Sequence, residues 1–302
     1  MEAIYHAAVM NSTLLTASFF SALGAIVATS LPTQDAQAPA LQFPAASPSA
    51  SLTQRVGVTD IEITYARPSM KGRKVFGSLE PYGTVWRTGA NATTEITFST
   101  DVEFGGEKVA AGNYALFSIP GESEWTVILN NDEQRSGAYA YKEAKDVARV
   151  TVKPIALTQP VESLAFGIDN LRPDTARMYF EWENVRVPVE IKTDVVAELM
   201  PRIEAAMAAG GDQLPYFNAA MFYYENDLDM DKAAMWITKA VDARPEAFWM
   251  SYRKGLILEK KGDKAGAMEA AKMSLGEVSK AGPGPLKDEY MRLNEALIAR
   301  NM

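Results

Sequence analysis

From Gln54 onward the chain alternates with a period of two. Asp60 to Ala66 (DIEITYA) sets Ile61, Ile63 and Tyr65 against polar partners, the pattern of a half-buried strand. Thr93 to Thr100, Asn113 to Ile119 and Glu124 to Leu129 repeat it, followed by Ala148 to Leu157, Val161 to Ile168, Thr175 to Trp182 and Val185 to Ile191. Gly105-Gly106, Ala111-Gly112 and Pro120-Gly121 supply the turn residues that hairpins need. Short strands at this spacing, with a helical hint only around Tyr141 to Asp146, predict an antiparallel β-sandwich or barrel over residues 54–193. Asp101 to Glu107 and Asn130 to Ser136 are its expected exposed loops.

After Asp194 the period lengthens to that of a helix. Asp194 is placed to cap a helix running to Ala209, which Gly210-Gly211 ends. Beyond it Ala233 recurs as Ala267, Tyr224 aligns with Leu258, Ile237 with Ala271 and Ala240 with Ser274, a 34-residue period. That period and its alternation of small and large positions resemble the tetratricopeptide repeat. Phe217, Ala220 and Pro245 complete the first unit; Ser251 and Lys254 stand at normally bulky positions of the second, which keeps Gly255. Pro283-Gly284-Pro285 introduces a last helix, Leu286 to Arg300, able to cap the stack. The expected architecture is therefore multidomain β + α, with a small tetratricopeptide-like domain over 194–302.

The other end of the chain reads as a leader. Residues 12–29 are apolar, rich in small side chains and uncharged, and Ala36-Gln37-Ala38 offers a cleavage signal before Pro39. Lys and Arg are missing ahead of the apolar run, which leaves an uncleaved anchor as the alternative. Residues 1–38 are expected to direct the protein out of the cytoplasm, and 39–53, rich in Pro, Ala and Ser, to form a disordered tether. No second run reaches the length needed to span a bilayer.

Composition narrows the chemistry. The formal net charge of −8 argues against a nucleic-acid partner. Cysteine is missing and the one histidine, His6, lies in the leader, so the usual nucleophilic triads and zinc sites have no residues to use. We expect no catalytic residue, metal or cofactor, and the balance tilts away from an enzyme.

One stretch departs from the acidic background. Tyr65 to Thr93 gathers Arg67, Lys71, Arg73, Lys74 and Arg87 against the single acid Glu80, and its glycines and prolines break it into turns. Arg67, Arg73 and Arg87 on neighbouring turns suit an anionic ligand, because the guanidinium fork matches a carboxylate or phosphate. Thr88 and Asn91 offer further hydrogen bonds and Gly89 close backbone approach. The alternative is that the arginines clamp loops by pairing with Glu95, Asp146, Asp169 or Glu181. Tyr82, Trp86, Tyr139, Tyr141 and Trp182 offer an aromatic platform for a sugar, against the alternative that the tryptophans are core. Tyr139 and Tyr141, in the GAYAY segment, are the better ligand candidates. In the helices Phe217, Tyr224 and Trp249 are candidates for holding a peptide or protein partner. No two carboxylates are singled out as a hydrolytic pair.

The motifs YARP, KGR, LEPYG, WRTGAN-AT, AGNYALFSIPG, EWTVILN and DVARV resemble a bacterial extracytoplasmic family, domain of unknown function 2911, over about residues 52–192. The resemblance implies a secreted protein, in some members followed by helical repeats, and brings no activity or ligand. The expectation is a binding or scaffolding protein whose β-domain holds an anionic or sugar-like envelope ligand. The runner-up is a carboxylate-dependent hydrolase of envelope carbohydrate, and the third reading is a purely structural assembly factor.

Overall fold

The computed structural model describes residues 43–131, 137–211 and 214–302. The expected leader, and the tether as far as residue 42, lie outside these residues. Two antiparallel sheets face each other and six helices follow, so the chain is multidomain β + α as the alternation implies.

The first sheet contains β1 (Ser49–Val56), β2 (Thr59–Ala66), β3 (Thr94–Phe98), β6 (Gly112–Ile119), β7 (Trp125–Asn130) and β8 (Asp146–Val152), in the order β1-β2-β3-β6-β7-β8. The second is β5-β4-β10-β9, built from β4 (Val102–Phe104), β5 (Glu107–Val109), β9 (Ile155–Asp169) and β10 (Thr175–Thr193). The alternate residues Ile61, Ile63, Ile96, Leu116, Val127 and Leu129 of one sheet meet Leu164, Met178, Phe180, Trp182 and Val187 of the other in one core. The architecture is thus a sandwich of two separately ordered sheets.

Several expectations need correcting. The tether ends earlier than residue 53: β1 begins at Ser49 and pairs along its whole length with β2, from Ser49 opposite Ala66 to Val56 opposite Thr59. Proline and alanine composition alone missed that β2 offers it an open edge. Asp101 to Glu107 is a hairpin of β4 and β5 and not an exposed loop, because Val102 and Phe104 are buried in the core. Ala148 to Leu157 is not one strand; β8 stops at Val152 and β9 starts at Ile155. The segments read as separate strands, Thr175 to Trp182 and Val185 to Ile191, are the single strand β10, bent by register shifts around Glu183, whose φ is 53°. Around Tyr141 there are two single 3₁₀ turns, Ala138–Ala140 and Glu143–Lys145.

The helical part starts directly at the end of β10. Asp194 accepts a hydrogen bond from the Ala197 N–H and so caps α1 (Val195–Ala209). The hairpin α2 (Tyr216–Glu225) and α3 (Met230–Ala243) is followed by a second, α4 (Phe248–Lys261) and α5 (Lys264–Ser279). The 34-residue correspondence reappears as burial: Ala233 and Ala267 are buried alike, and so are Ile237 and Ala271. The final helix α6 (Pro285–Asn301) closes on α4 where Gly255 leaves room for Leu297; a β-carbon at Gly255 would stand 2.7 Å from the leucine Cδ2. Arg300 locks this end with two hydrogen bonds to the Glu259 carboxylate.

Trp182 is almost fully buried between the sheets, whereas Trp249 is 38% exposed. Trp182→Ala is therefore expected to cost about 3–5 kcal/mol in urea unfolding and Trp249→Ala less than about 1 kcal/mol. Equal costs would contradict the core described here.

Candidate functional site

The turn-rich stretch is a bridge between the sheets. Leaving β2, the Arg67 N–H donates to the Pro48 carbonyl and Arg67 Nε to the Leu164 carbonyl. The Met70 N–H then donates to Glu162, and the Ser69 and Ser163 hydroxyls meet at 2.7 Å, so residues 67–70 run beside β9. Next the chain turns under the bulge of β10, where the Glu183 carboxylate accepts from the Val75 and Phe76 N–H groups. Finally Trp86 exchanges both backbone hydrogen bonds with Ser118 and extends the ladder along β6.

Because the side chains of a strand alternate, neighbouring residues here have opposite fates. Trp86 points into the core and stacks on Trp182 at 5.9 Å between centroids, with Phe76 and Trp125 edge-on. Arg87 is half-buried on the other face, the side on which Val85 packs against a small apolar cluster of Ala115, Phe117 and Ile128. Its Nη1 donates to the Asn91 carbonyl, and its guanidinium lies 5.8 Å from the Tyr139 ring centroid. Gly137 sits against the same guanidinium: a β-carbon there would be 2.5 Å from Nη1, and its φ of 84° also favours glycine. The Gly137 N–H donates to the Thr93 hydroxyl, which ties the Tyr139 turn to the Arg87 turn.

The backbone here is strained. Thr88 holds φ at 50°, an outlier for a β-branched residue, and Asn91 holds 61°. Bonds from all sides fix the pair: Thr88 Oγ1 meets the Ser118 hydroxyl, its carbonyl accepts from Thr94 Oγ1, and Asn91 Nδ2 donates to the Ser47 carbonyl.

The three candidate arginines do not converge. Arg67 is spent on Leu164, and Arg73 donates to the Met70 and Ser69 carbonyls. The clamp alternative fails in detail as well, because the acids proposed for it have other partners. Asp146 pairs with Arg149, Asp169 with Arg177, and Glu181 with Arg186, while Glu95 accepts from Asn113. Among the described residues, no ion pair within 4 Å involves Arg87. Its electrostatic neighbour is Glu80, whose carboxyl burial pushes up to about 7 although Arg87 pulls the other way.

Of the remaining candidates, Trp86, Thr88 and Gly89 are buried and hold the turn, with Trp86 Nε1 donating to the Gly89 carbonyl. The aromatic platform does not form, since Trp86 and Trp182 are core. Tyr139 is 94% exposed, but Tyr141 packs on Phe117 and donates its hydroxyl to Asp146. Burial and that bond push the Tyr141 phenol up to about 12. Beside it lies Asn130, the last residue of β7 and the first of the expected 130–136 loop, whose residues 132–136 lie outside the described residues. It is fully buried at a bulge of β7, and its Nδ2 donates to Asp146 and to the Lys142 carbonyl. Its Oδ1 has no hydrogen-bond partner among the described residues. In the helices Phe217 and Tyr224 pack against the hairpin core, with Lys260 over the Tyr224 ring, and Trp249 leans on Phe248.

Residues 47–191 match the model of a family described as protein of unknown function (DUF2911). The match takes in the sandwich and the whole Arg87 turn and stops short of the helices. No curated protein matches the chain. Among the described residues no helix is long and apolar enough to cross a membrane, and no cluster of acids could hold a metal ion.

The raised Glu80 carboxyl has a direct consequence. The native state favours its protonated form, so its contribution to stability is complete below about pH 4.5 and lost by about pH 7. Glu80→Gln keeps the neutral form and should exceed wild type by roughly 1–2 kcal/mol at about pH 8, with the gap closing near about pH 4. A gap independent of pH would show that Glu80 titrates as an ordinary surface acid.

Proposed function

We propose that the protein is an extracytoplasmic binding protein whose β-domain takes an anionic or acidic-sugar ligand at the Arg87 turn. The observation that carries this reading is the state of Arg87 itself. Arg55, Arg149, Arg177, Arg186, Arg202 and Arg300 each sit against a carboxylate, whereas Arg87, like Arg67 and Arg73, has no ion pair among the described residues. What sets it apart from those two is the exposed Tyr139 ring beside it and the Glu80 carboxyl that burial pushes up to about 7. A guanidinium held in a strained, cross-braced turn, with an exposed aromatic ring beside it, is prepared for a carboxylate brought by a ligand. Tyr139 and Asn91 give the sugar-like part of such a ligand a ring face and an amide to meet.

Binding is favoured over turnover. Hydrolysis of a glycan would need two carboxylates facing each other across a cleft, and Asp146, Asp169 and Glu181 are each engaged by an arginine. The secreted location rests on the leader pattern of residues 12–38. We also read α2 to α5 as tetratricopeptide-like, on the matched burial of the two hairpins, with the surface around Trp249 open to a protein partner.

The test is calorimetric titration with glucuronate, acetate and glucose. Wild type should bind glucuronate saturably and more tightly than glucose. Arg87→Ala should weaken it by about tenfold or more while costing only about 1 kcal/mol of stability, the value of one hydrogen bond. Arg73→Ala, which loses bonds only to backbone, should leave affinity unchanged. Equal affinity for glucuronate and glucose, or an Arg87→Ala variant that binds like wild type, would overturn the assignment.

A further inference from the structure

A cavity of about 1000 Å³ lies where the sandwich meets the helices, away from the Arg87 turn. One wall is the β4–β5 hairpin with the 173–174 turn; the other is the start of α1 and the last turn of α2. Both walls are anchored through α1. At its start the Thr193 N–H donates to the Asp174 carbonyl, and Gly57 makes room for Val195, where a β-carbon would come within 2.4 Å. Further along, Glu204 takes hydrogen bonds from Tyr223 and Lys232 and so ties α1 to the first helical hairpin. The cavity is therefore a built feature of the joint.

Its charge is lopsided. Glu103 is offset by Lys108 and Lys192, which stand opposite it in the strand registers. Asp101, Asp174 and Glu225 also line the cavity, and none of them takes part in an ion pair among the described residues. No three acids come close enough to share one metal ion among the described residues, so the charge is spread along the cleft. Half-buried Phe222 and Val195 line the same cleft and give apolar surface suited to the methylene stems of lysine or arginine. We propose that this cleft binds an extended basic peptide segment of a partner protein, its cationic heads meeting Asp101, Asp174 and Glu225. The site is separate from the Arg87 turn and takes ligands of opposite charge.

The probe is a fluorescein-labelled hexalysine peptide titrated with the whole chain and read by anisotropy. Saturable binding is expected, weakened at least about tenfold by the double substitution Asp174→Lys with Glu225→Lys, since reversed charge in the cleft repels the peptide. Both residues are exposed, so the melting temperature of that variant should match wild type. Glu122→Lys with Glu124→Lys, at the far end of β6, makes the same change in net charge and should leave affinity within about twofold. Three results would overturn the proposal: no saturation, equal weakening by both double variants, or displacement of the peptide by calcium chloride alone. The first two would reduce the effect to general attraction by an acidic protein, and the third would mark an ion site.

Discussion

The stacking of Trp86 on Trp182 is the contact on which the β-domain depends. Trp182 belongs to the second sheet, while Trp86 belongs to the bridge and hydrogen-bonds along the first. Their contact, closed by Phe76, Trp125 and Phe180, therefore fastens the turn-rich stretch to both layers at once. A segment with so many glycines would otherwise have a large entropy to lose on ordering. Here that loss is offset by burying large aromatic surfaces, each worth several kcal/mol at about 25 cal/mol per Å². Because Trp86 must face inward, Arg87 must face outward. The orientation of the candidate site is thus a consequence of core packing one residue away.

The same stretch shows how one residue type serves two purposes. Arg73 satisfies the Ser69 and Met70 carbonyls of the crossing chain, which lie away from the regular ladders, and Arg67 ties that chain to the Leu164 carbonyl of β9. Arg87 makes one such bond and keeps the rest of its guanidinium for the face shared with Tyr139 and Gly137. The strained torsions at Thr88 and Asn91 are concentrated beside that residue, as backbone strain often is at sites where geometry serves something beyond folding. Glu80 reports the same tension from the acid side, because burial opposes its ionisation more than Arg87 favours it.

Much of the fold was legible because period-two alternation is imposed by burial on one face. DIEITYA lies in β2 for that reason, whereas WTVILN in β7 is buried on both faces, with Val127 and Leu129 in the main core and Ile128 in the small cluster with Phe117. Legibility ended where long-range pairing decided the outcome. Residues 49–53 look like a tether but gain a partner in β2, and the break between Trp182 and Val185 is a bulge within one strand. At the site, the unusual arginine content was visible but its division was not, since nothing in the spacing of Arg67, Arg73 and Arg87 says which carbonyls lie within reach. Asn130 and Gly137 had no local signal. Their roles come from a β-bulge and from a guanidinium fifty residues earlier in the chain.

The account rests on the bridge being a fixed part of the sandwich. Hydrogen exchange of the Trp86 indole N–H and the Ser118 amide, followed by NMR beside core amides of β3 and β7, tests this directly. The indole donates to Gly89 and the amide to Trp86, so both should exchange only with global unfolding, at the same free energy as the core. Exchange of either proton through a cheaper local opening would show that the stretch moves independently of the sheets, and that Arg87 is not held in place by the core.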